Sequence, residues 1–409
     1  MGDSAGAQPH AATAATTAIA GLVGLASAMG IGRFAFTPLL PLMQQAGSIT
    51  LSQGAYLASA NYLGYLVGAV ASFLFAIPAG AAARWGLVAV AASTLAAAFA
   101  HSLVVWLMLR FIAGAASAFV LIGISAWALA LLARHDRPHW SGWVFAGVGA
   151  GICLAGNTAF IVPLVGASAS QAWAALGAFA VAAAVATWRS LARLEPAARL
   201  GSTGGLGKLD TSAWIMIVCY GVFGFGYILP ATFIPAAARA LAPDPTLFAM
   251  AWPVFGLAAA ASTVAVPRFA GHFSPRTVAA ASLVVMGVGV LLPVIVQGLA
   301  ALCISAVLVG GTFMVATMAC VQEARRIGGV GAGGLIAAMT AAFAIGQLIG
   351  PLAVTSGKTI QEALLRPSIV AGVLLLLSGV ALALQRGASG GASGARPVQE
   401  GADAQGAAR

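Results

Sequence analysis

Long apolar runs alternate with short polar gaps along almost the whole chain. A helix needs about 20 mostly apolar residues to cross a bilayer, and twelve runs of roughly this length can be marked. The pattern therefore predicts an all-α membrane protein with twelve transmembrane helices. The approximate limits of the runs are 17–43, 51–77, 81–99, 103–133, 141–165, 168–188, 213–238, 247–265, 277–296, 299–320, 329–355 and 368–384.

Composition agrees with a membrane protein. Of the 409 residues, 61% are hydrophobic and 7% are charged, whereas a soluble globular chain carries about 25% charged residues. A soluble protein of this size has no core large enough to hide so much apolar surface. A cytoplasmic enzyme, a secreted domain and a DNA-binding module are therefore excluded. The four cysteines lie inside apolar runs without a Cys-x-x-Cys pair, which indicates neither a disulfide framework nor a metal site.

The basic residues indicate an orientation in the membrane rather than a nucleic-acid surface. The formal net charge is +10, but most Lys and Arg residues are spread over the gaps between apolar runs, where they act as a topology signal. With the N-terminus inside, fourteen of them fall on the cytoplasmic side, and Arg239, Lys358 and Arg366 fall outside. We therefore expect both termini in the cytoplasm, a lipid bilayer around the chain and no nucleic-acid partner.

The runs divide into two sets of six around the longest polar gap, residues 189–212. This division predicts a cytoplasmic tail over 1–16, a six-helix bundle over 17–188 and a central cytoplasmic loop over 189–212. A second six-helix bundle follows over 213–385, and a disordered cytoplasmic tail over 386–409. Because both bundles start inside, a repeat between them would be parallel, with its axis normal to the membrane.

Short sequence matches between the two halves support such a repeat. Residues 30–33 (GIGR) and Pro41 align with residues 224–227 (GFGY) and Pro235 at a constant offset. Chance is the alternative in a chain with 51 glycines, but the Gly-x-Gly and the later Pro keep their spacing. Further matching pairs at nearly the same offset are Gly64 with Gly256 and Arg84 with Arg276.

Two segments resemble a known family more closely. Residues 30–43 (GIGRFAFTPLLPLM) and 342–351 (AFAIGQLIGP) are similar to segments of the YbfB/YjiJ-type branch of the major facilitator superfamily, a set of bacterial inner-membrane permeases. The architectural likeness covers roughly residues 17–385. The resemblance implies two six-helix bundles around a central cavity and localisation in the bacterial inner membrane. It names no substrate.

The loop between the second and third runs departs from the usual signature of that superfamily, Gly-x-x-x-Asp-Arg-x-Gly-Arg. Residues 78–86 are PAGAAARWG, so that only Arg84 is kept. The charge relay that the resemblance implies for this loop is therefore not expected here. Arg110 and Gly114 keep an Arg-x-x-x-Gly element, and residues 147–151 (GVGAG) form a degenerate antiporter motif.

Two charged residues, Arg33 and Arg110, lie inside predicted spans. A charge in the membrane is costly and normally faces a cavity or a partner. Arg33 lies beyond the midplane in a span that Gly and Pro residues can bend, and we expect it to bind an anionic group, most simply a carboxylate. The alternative is a structural arginine bonded to backbone carbonyls. Arg110 has a substrate or coupling role or, instead, snorkels outward or clamps neighbouring carbonyls.

All acidic residues are expected in loops or tails, so no carboxylate is available for proton coupling within the bilayer. Neutral polar residues complete the candidate cavity, although helix–helix hydrogen bonding is their alternative role. The glycine pairs Gly64/Gly68, Gly147/Gly151 and Gly346/Gly350 predict close helix packing. No catalytic set, metal-ligand cluster or cofactor motif is recognised. The candidate substrate-binding residues are Arg33, Tyr227, Asn61, Asn157, Gln347, Arg110 and Trp252.

These observations predict a monomeric secondary-active transporter that moves a small solute, most simply a small organic anion, by alternating access. One alternative is an efflux permease for neutral or amphipathic compounds, in which Arg33 is structural. A second alternative is a membrane sensor or scaffold that moves no solute. An enzyme is not expected, because no catalytic residues can be assembled within the membrane.

Overall fold

The computed structural model describes residues 4–192, 200, 209–241, 251–269, 272–329, 332–353 and 360–385. Most of the central loop, Lys358 and the tail predicted over 386–409 lie outside this described part. The helices are α1 (Ser4–Leu25), α2 (Phe36–Gln45), α3 (Leu51–Leu74), α4 (Ala79–Ala97), α5 (Leu103–Arg134), α6 (Ser141–Leu164), α7 (Ala169–Leu191), α8 (Thr211–Leu241), α9 (Ala251–Phe269), α10 (Pro275–Ile295), α11 (Leu299–Gly328), α12 (Ala332–Leu352) and α13 (Ile360–Leu384).

Each of the twelve predicted runs contains a helix. The first run is a single path over Thr13–Gln45, in which a π-helical segment, Ala26–Arg33, joins α1 to α2. Eleven helices of the described part are long and apolar enough to cross a membrane. The remaining one is α9, whose predicted run starts at residue 247 and thus before the described residues. The chain is an all-helical, multi-pass membrane protein.

Several helices extend beyond the predicted runs. Helix α1 begins at Ser4 rather than near residue 17, and α11 continues to Gly328 rather than ending at residue 320. Hydropathy marks where a chain becomes polar, whereas a helix continues as long as its backbone hydrogen bonds form. Short capped loops then separate neighbouring helices: Thr50 and Gln53 form a capping box before α3, and Ser168 and Gln171 form one before α7.

The two halves repeat the same helix contacts. In the first half α5 packs on α3 and α4, and α6 packs on α1 and the π-helical segment. In the second half α11 packs on α9 and α10, and α12 packs on α8. These pairs correspond under the predicted parallel repeat. Across the two halves, α6 packs on α9 and α3 packs on α12. These two seams are the most extensive contacts between the described parts of the halves.

Glycines allow the closest of these helix contacts. A Cβ atom added at Gly64 would lie 2.1 Å from the carbonyl oxygen of Phe111, and one at Gly147 would lie 2.0 Å from that of Leu22. One at Gly346 would lie 2.2 Å from the carbonyl oxygen of Gly221. Only a residue without a side chain fits at such distances. The close packing predicted from the Gly-x-x-x-Gly pairs is therefore present.

Candidate functional site

The π-helical segment ends at Arg33 and interrupts the regular α-helix of the first span between α1 and α2. Phe34 donates its backbone N–H to the carbonyl of Met29 at 3.2 Å, five residues earlier, as in a π-helix. Gly30 lets this segment pack closely against Gly151 of α6, and Pro38 has no N–H with which to continue the ladder. The interruption leaves the carbonyl groups of Gly32 and Arg33 for side chains to bind.

Arg110 and Asn61 bind these carbonyl groups. Arg110 Nη1 donates to the Gly32 oxygen at 3.0 Å, and its Nη2 donates to the Arg33 oxygen at 3.1 Å. Asn61 Nδ2 donates to the Arg110 carbonyl at 2.9 Å and makes a long contact of 3.5 Å with the Gly32 oxygen. Arg110 and Asn61 thus hold the backbone from which the Arg33 side chain projects.

Arg33 is a buried cation between the two halves. Its residue surface is 2% exposed, and its Nη2 donates to Oε1 of Gln347 on α12. The other two guanidinium nitrogens, Nε and Nη1, have no hydrogen-bond partner among the described residues. The ion pairs found within the described ranges do not include Arg33. Its positive charge therefore lacks a negative partner in the described part of the chain.

Gln347 connects Arg33 to its repeat counterpart, Tyr227. Gln347 Nε2 donates to the Tyr227 hydroxyl at 2.6 Å. The Tyr227 ring stacks between Phe313 and Phe343, with centroids 5.4 Å away on each side. Two residues at equivalent positions of the repeat therefore converge on one amide at the centre of the molecule.

Aromatic rings surround the Arg33 guanidinium. Its Cζ lies 3.8 Å from the ring centroid of Tyr65, 5.5 Å from that of Phe34 and 6.0 Å from that of Phe343. A desolvated cation–π contact is worth about 2 kcal/mol, whereas the penalty for an unpaired buried ion is several kcal/mol. The rings therefore offset much of the cost of burying this charge, but they supply no negative charge to pair with it.

The remaining two predicted residues lie further away. Asn157 Nδ2 donates to the Cys153 carbonyl of its own helix at 2.9 Å. Trp252 is buried, its Nε1 has no hydrogen-bond partner in the described part of the chain, and its ring stacks on Phe255 at 5.3 Å. Phe255 in turn packs on Phe313. Trp252 is thus connected through the rings of Phe255 and Phe313 to Tyr227. The described contacts do not join Asn157 to Arg33.

Sequence analysis missed the aromatic members of this site. Tyr65 lies one helical turn after Asn61, and Phe343 lies one turn before Gln347. Residues four apart share a face of a helix, so both rings belong to faces that already carried a predicted polar residue. That spacing was a usable signal. Phe313 on α11 has no predicted site residue four positions away, so its position carried no such signal.

Two acidic residues that were predicted in loops lie in helices: Glu362 in the first turn of α13 and Glu323 in α11. Glu323 lies inside α11 rather than in a loop and is fully buried, because this helix continues past the end of its apolar run. Its carboxylate accepts two hydrogen bonds from Arg326, at 2.8 and 2.7 Å, and lies 3.4 Å from Arg276 Nε. Arg84, the repeat counterpart of Arg276, instead lies 5.0 Å from the Trp188 ring.

The halves also leave a cavity of about 470 Å³ near the Arg276 end of the bundles. The first half contributes Leu129 and His139 to its lining, and the second half contributes Phe273, Gln322 and Arg325. This cavity lies at the end predicted to face the cytoplasm. The buried Arg33 and this opening therefore lie at different depths of the same interface.

Comparisons with known proteins agree with this architecture. The family model described as "Uncharacterised MFS-type transporter YbfB" matches residues 25–383. No curated protein matches the chain. Among solved structures, the chain is similar to the crystal structure of the human organic anion transporter MFSD10 (TETRAN), with a TM-score of 0.66 and 14% sequence identity. That similarity covers 91% of this chain and 99% of the other. Because the family match spans most of its length, the chain belongs to the YbfB-type family of major facilitator superfamily membrane transporters, which are not enzymes.

Proposed function

We propose that this transporter moves a small organic anion by alternating access, with Arg33 as the anchor of the anionic group. The observation that carries the proposal is the unpaired charge of Arg33, which is buried between the halves and whose Nε and Nη1 bind no other residue that the structure describes. A buried charge without a partner is strongly unfavourable. An anionic solute that binds there supplies the missing negative charge.

The surroundings of Arg33 favour a carboxylate attached to an apolar body. The guanidinium group binds carboxylates through two parallel hydrogen bonds, and the Tyr65, Phe34 and Phe343 rings offer apolar surface beside it. A cationic solute would meet a like charge here. The human transporter of the same fold is called an organic anion transporter, which agrees with the proposed solute class.

The other candidate residues have distinct proposed roles. Gln347 and Tyr227 lie next to the anionic group, and Asn61 and Arg110 hold the backbone of Arg33 in place. Trp252 and Asn157 line the path further from the anchor. The halves rock along the α6–α9 and α3–α12 seams so that Arg33 faces each side in turn.

We also propose the bacterial inner membrane as the location, with both termini in the cytoplasm and the monomer as the working unit. Support comes from the excess of basic residues in the gaps assigned to the inside. In this orientation, the cavity beside Arg325 opens to the cytoplasm.

Ligand-induced thermal stabilisation of the purified protein tests the proposal. The probes are benzoate, glucose and the tetraphenylphosphonium cation. Benzoate at a hundred times its Kd is expected to stabilise the wild-type protein by about 2.7 kcal/mol. The effect should disappear in Arg33→Ala. Arg33→Lys should bind more weakly than wild type, because lysine keeps the charge but loses the planar fork.

Arg366→Ala is the matched control, because Arg366 is an exposed arginine on α13. It should respond to benzoate as the wild type does. Equal stabilisation of wild type and Arg33→Ala by neutral or cationic probes would contradict the proposal and favour the efflux alternative. A response to none of the three probes would count against an anion site at Arg33.

A further inference from the structure

The hydrogen bond between Arg33 and Gln347 joins the two halves at the proposed anion site. Arg33 belongs to the first half and Gln347 to the second, 314 positions later. We propose that the Gln347 side chain is a neutral placeholder for the substrate carboxylate, which occupies Arg33 in the empty transporter and is displaced when the anion binds. The inference rests on the proposed function and assigns to Gln347 the opposite role from a substrate contact.

The orientation of the Gln347 amide supports a placeholder. Its Nε2 donates to the Tyr227 hydroxyl at 2.6 Å, which leaves Oε1 to face the Arg33 guanidinium. Guanidinium nitrogens are donors only, so this is the arrangement in which both ends of the amide are satisfied. Tyr227 thus holds a carbonyl-type oxygen at the position where a carboxylate oxygen would bind.

The burial of the Arg33 guanidinium means that a bound anion must displace a side chain. A carboxylate binds a guanidinium through two parallel N–H groups, and the planar group offers two such forks, Nε with Nη2 and Nη1 with Nη2. Nη2 has one N–H in each fork, so its hydrogen bond to Gln347 occupies one fork. Nε and Nη1 are buried and Arg33 is 2% exposed, so protein atoms cover both forks. An anion can reach the guanidinium only when a covering side chain moves away, and Gln347 is the described side chain whose oxygen already accepts from Arg33.

Displacement has a consequence for the transport cycle. While the site is empty, Gln347 satisfies part of the Arg33 guanidinium, so the two halves can close without a substrate. When the anion replaces Gln347, the hydrogen bond between Arg33 and Gln347 is broken. The anion then pairs with the buried positive charge of Arg33. Both the empty protein and the loaded protein can then change conformation. Because the empty protein can return without a substrate, this arrangement favours net transport over obligatory exchange.

Benzoate titrations followed by thermal unfolding distinguish a placeholder from a substrate contact. If Gln347 competes with the anion, Gln347→Ala removes the competitor, and benzoate should bind about tenfold more tightly than to wild type. If Gln347 contacts the anion, the same variant should bind benzoate more weakly. Gln297→Ala, at an exposed glutamine in the loop before α11, is the control and should bind as wild type.

A second variant tests the idea without depending on Gln347→Ala being stable. Gln347→Glu places a carboxylate of nearly the same shape beside Arg33. It should melt at a higher temperature than wild type in the absence of ligand and lose its response to benzoate. Unchanged or weaker benzoate binding in Gln347→Ala, or a Gln347→Glu protein that still responds to benzoate, would overturn the placeholder. Benzoate stabilisation that persists in Arg33→Ala would instead overturn the proposed function.

Discussion

Replacing Glu323 with glutamine is expected to lower the free energy of unfolding by about 3 kcal/mol, because the change breaks a buried ion network. The Glu323 side chain is 0% exposed and pairs with Arg326 at 2.7 Å and Arg276 at 3.4 Å. Arg326 is 43% exposed and can return to water, but Arg276 is only 11% exposed. Thermal unfolding in detergent measures the loss.

Two comparisons make this prediction specific. Asp136→Asn removes an exposed carboxylate in the loop after α5, and it should leave the melting temperature nearly unchanged. Combining Glu323→Gln with Arg276→Gln removes both partners and should recover part of the stability, because the uncompensated charge is then gone. A Glu323→Gln protein that melts like the wild type would show that the network contributes nothing to stability.

Adding one methyl group at Gly114 is expected to destabilise the protein by about 3 kcal/mol, at the upper end of overpacking effects. A Cβ atom at this position of α5 would lie 2.0 Å from the Asn61 carbonyl oxygen and 3.0 Å from the Tyr65 nitrogen. Both atoms belong to the α3 backbone, so the two helices must separate. Tyr65 also contacts the Arg33 guanidinium, and Asn61 binds the carbonyl of Arg110. Separation of the two helices should therefore weaken benzoate stabilisation as well as lower the melting temperature.

Gly311→Ala provides the matched control for Gly114→Ala. Gly311 also lies inside a long helix, but of the described atoms an added Cβ there would approach only the Ala258 oxygen, at 4.0 Å. Alanine is a better helix former than glycine, so this variant should be neutral or slightly stabilising. Equal melting temperatures for the two variants would show that α3 and α5 are not in the tight contact described.

Much of the fold could be predicted from the chain because its signals are local. Apolar run length predicted a helix in each of twelve places, and Gly-x-x-x-Gly pairs predicted the close packing seen at Gly64, Gly147 and Gly346. The predicted positions of the helix ends were less accurate. Glu323 follows the last apolar residues of its run, so hydropathy placed it outside the helix. Its pairing with Arg276, 47 positions earlier in the sequence, is what makes a buried carboxylate tolerable there.

The candidate site was predictable in part. The membrane location of Arg33 and the repeat alignment of Tyr227 made both residues candidates, and Gln347 was a candidate as a polar residue in an apolar run. Their connection through the Gln347 amide did not follow from those signals. Hydropathy alone could not identify the rings around Arg33, because an aromatic residue in an apolar run has the same hydropathy whether it faces lipid, a helix neighbour or a cation. Only the four-residue spacing of Tyr65 from Asn61 and of Phe343 from Gln347 indicated two of them.

The amino-acid sequence by itself determined that this is a helical membrane protein of two related halves with an arginine within the bilayer. Run length, charge placement and repeat spacing are all properties of short stretches, so no contact between distant residues was needed. Only the tertiary structure decided that Arg33 and Gln347, 314 positions apart, bind each other, and that Arg110 holds the backbone beside them. Such pairings depend on how the bundles pack against each other, and local hydropathy does not encode that arrangement.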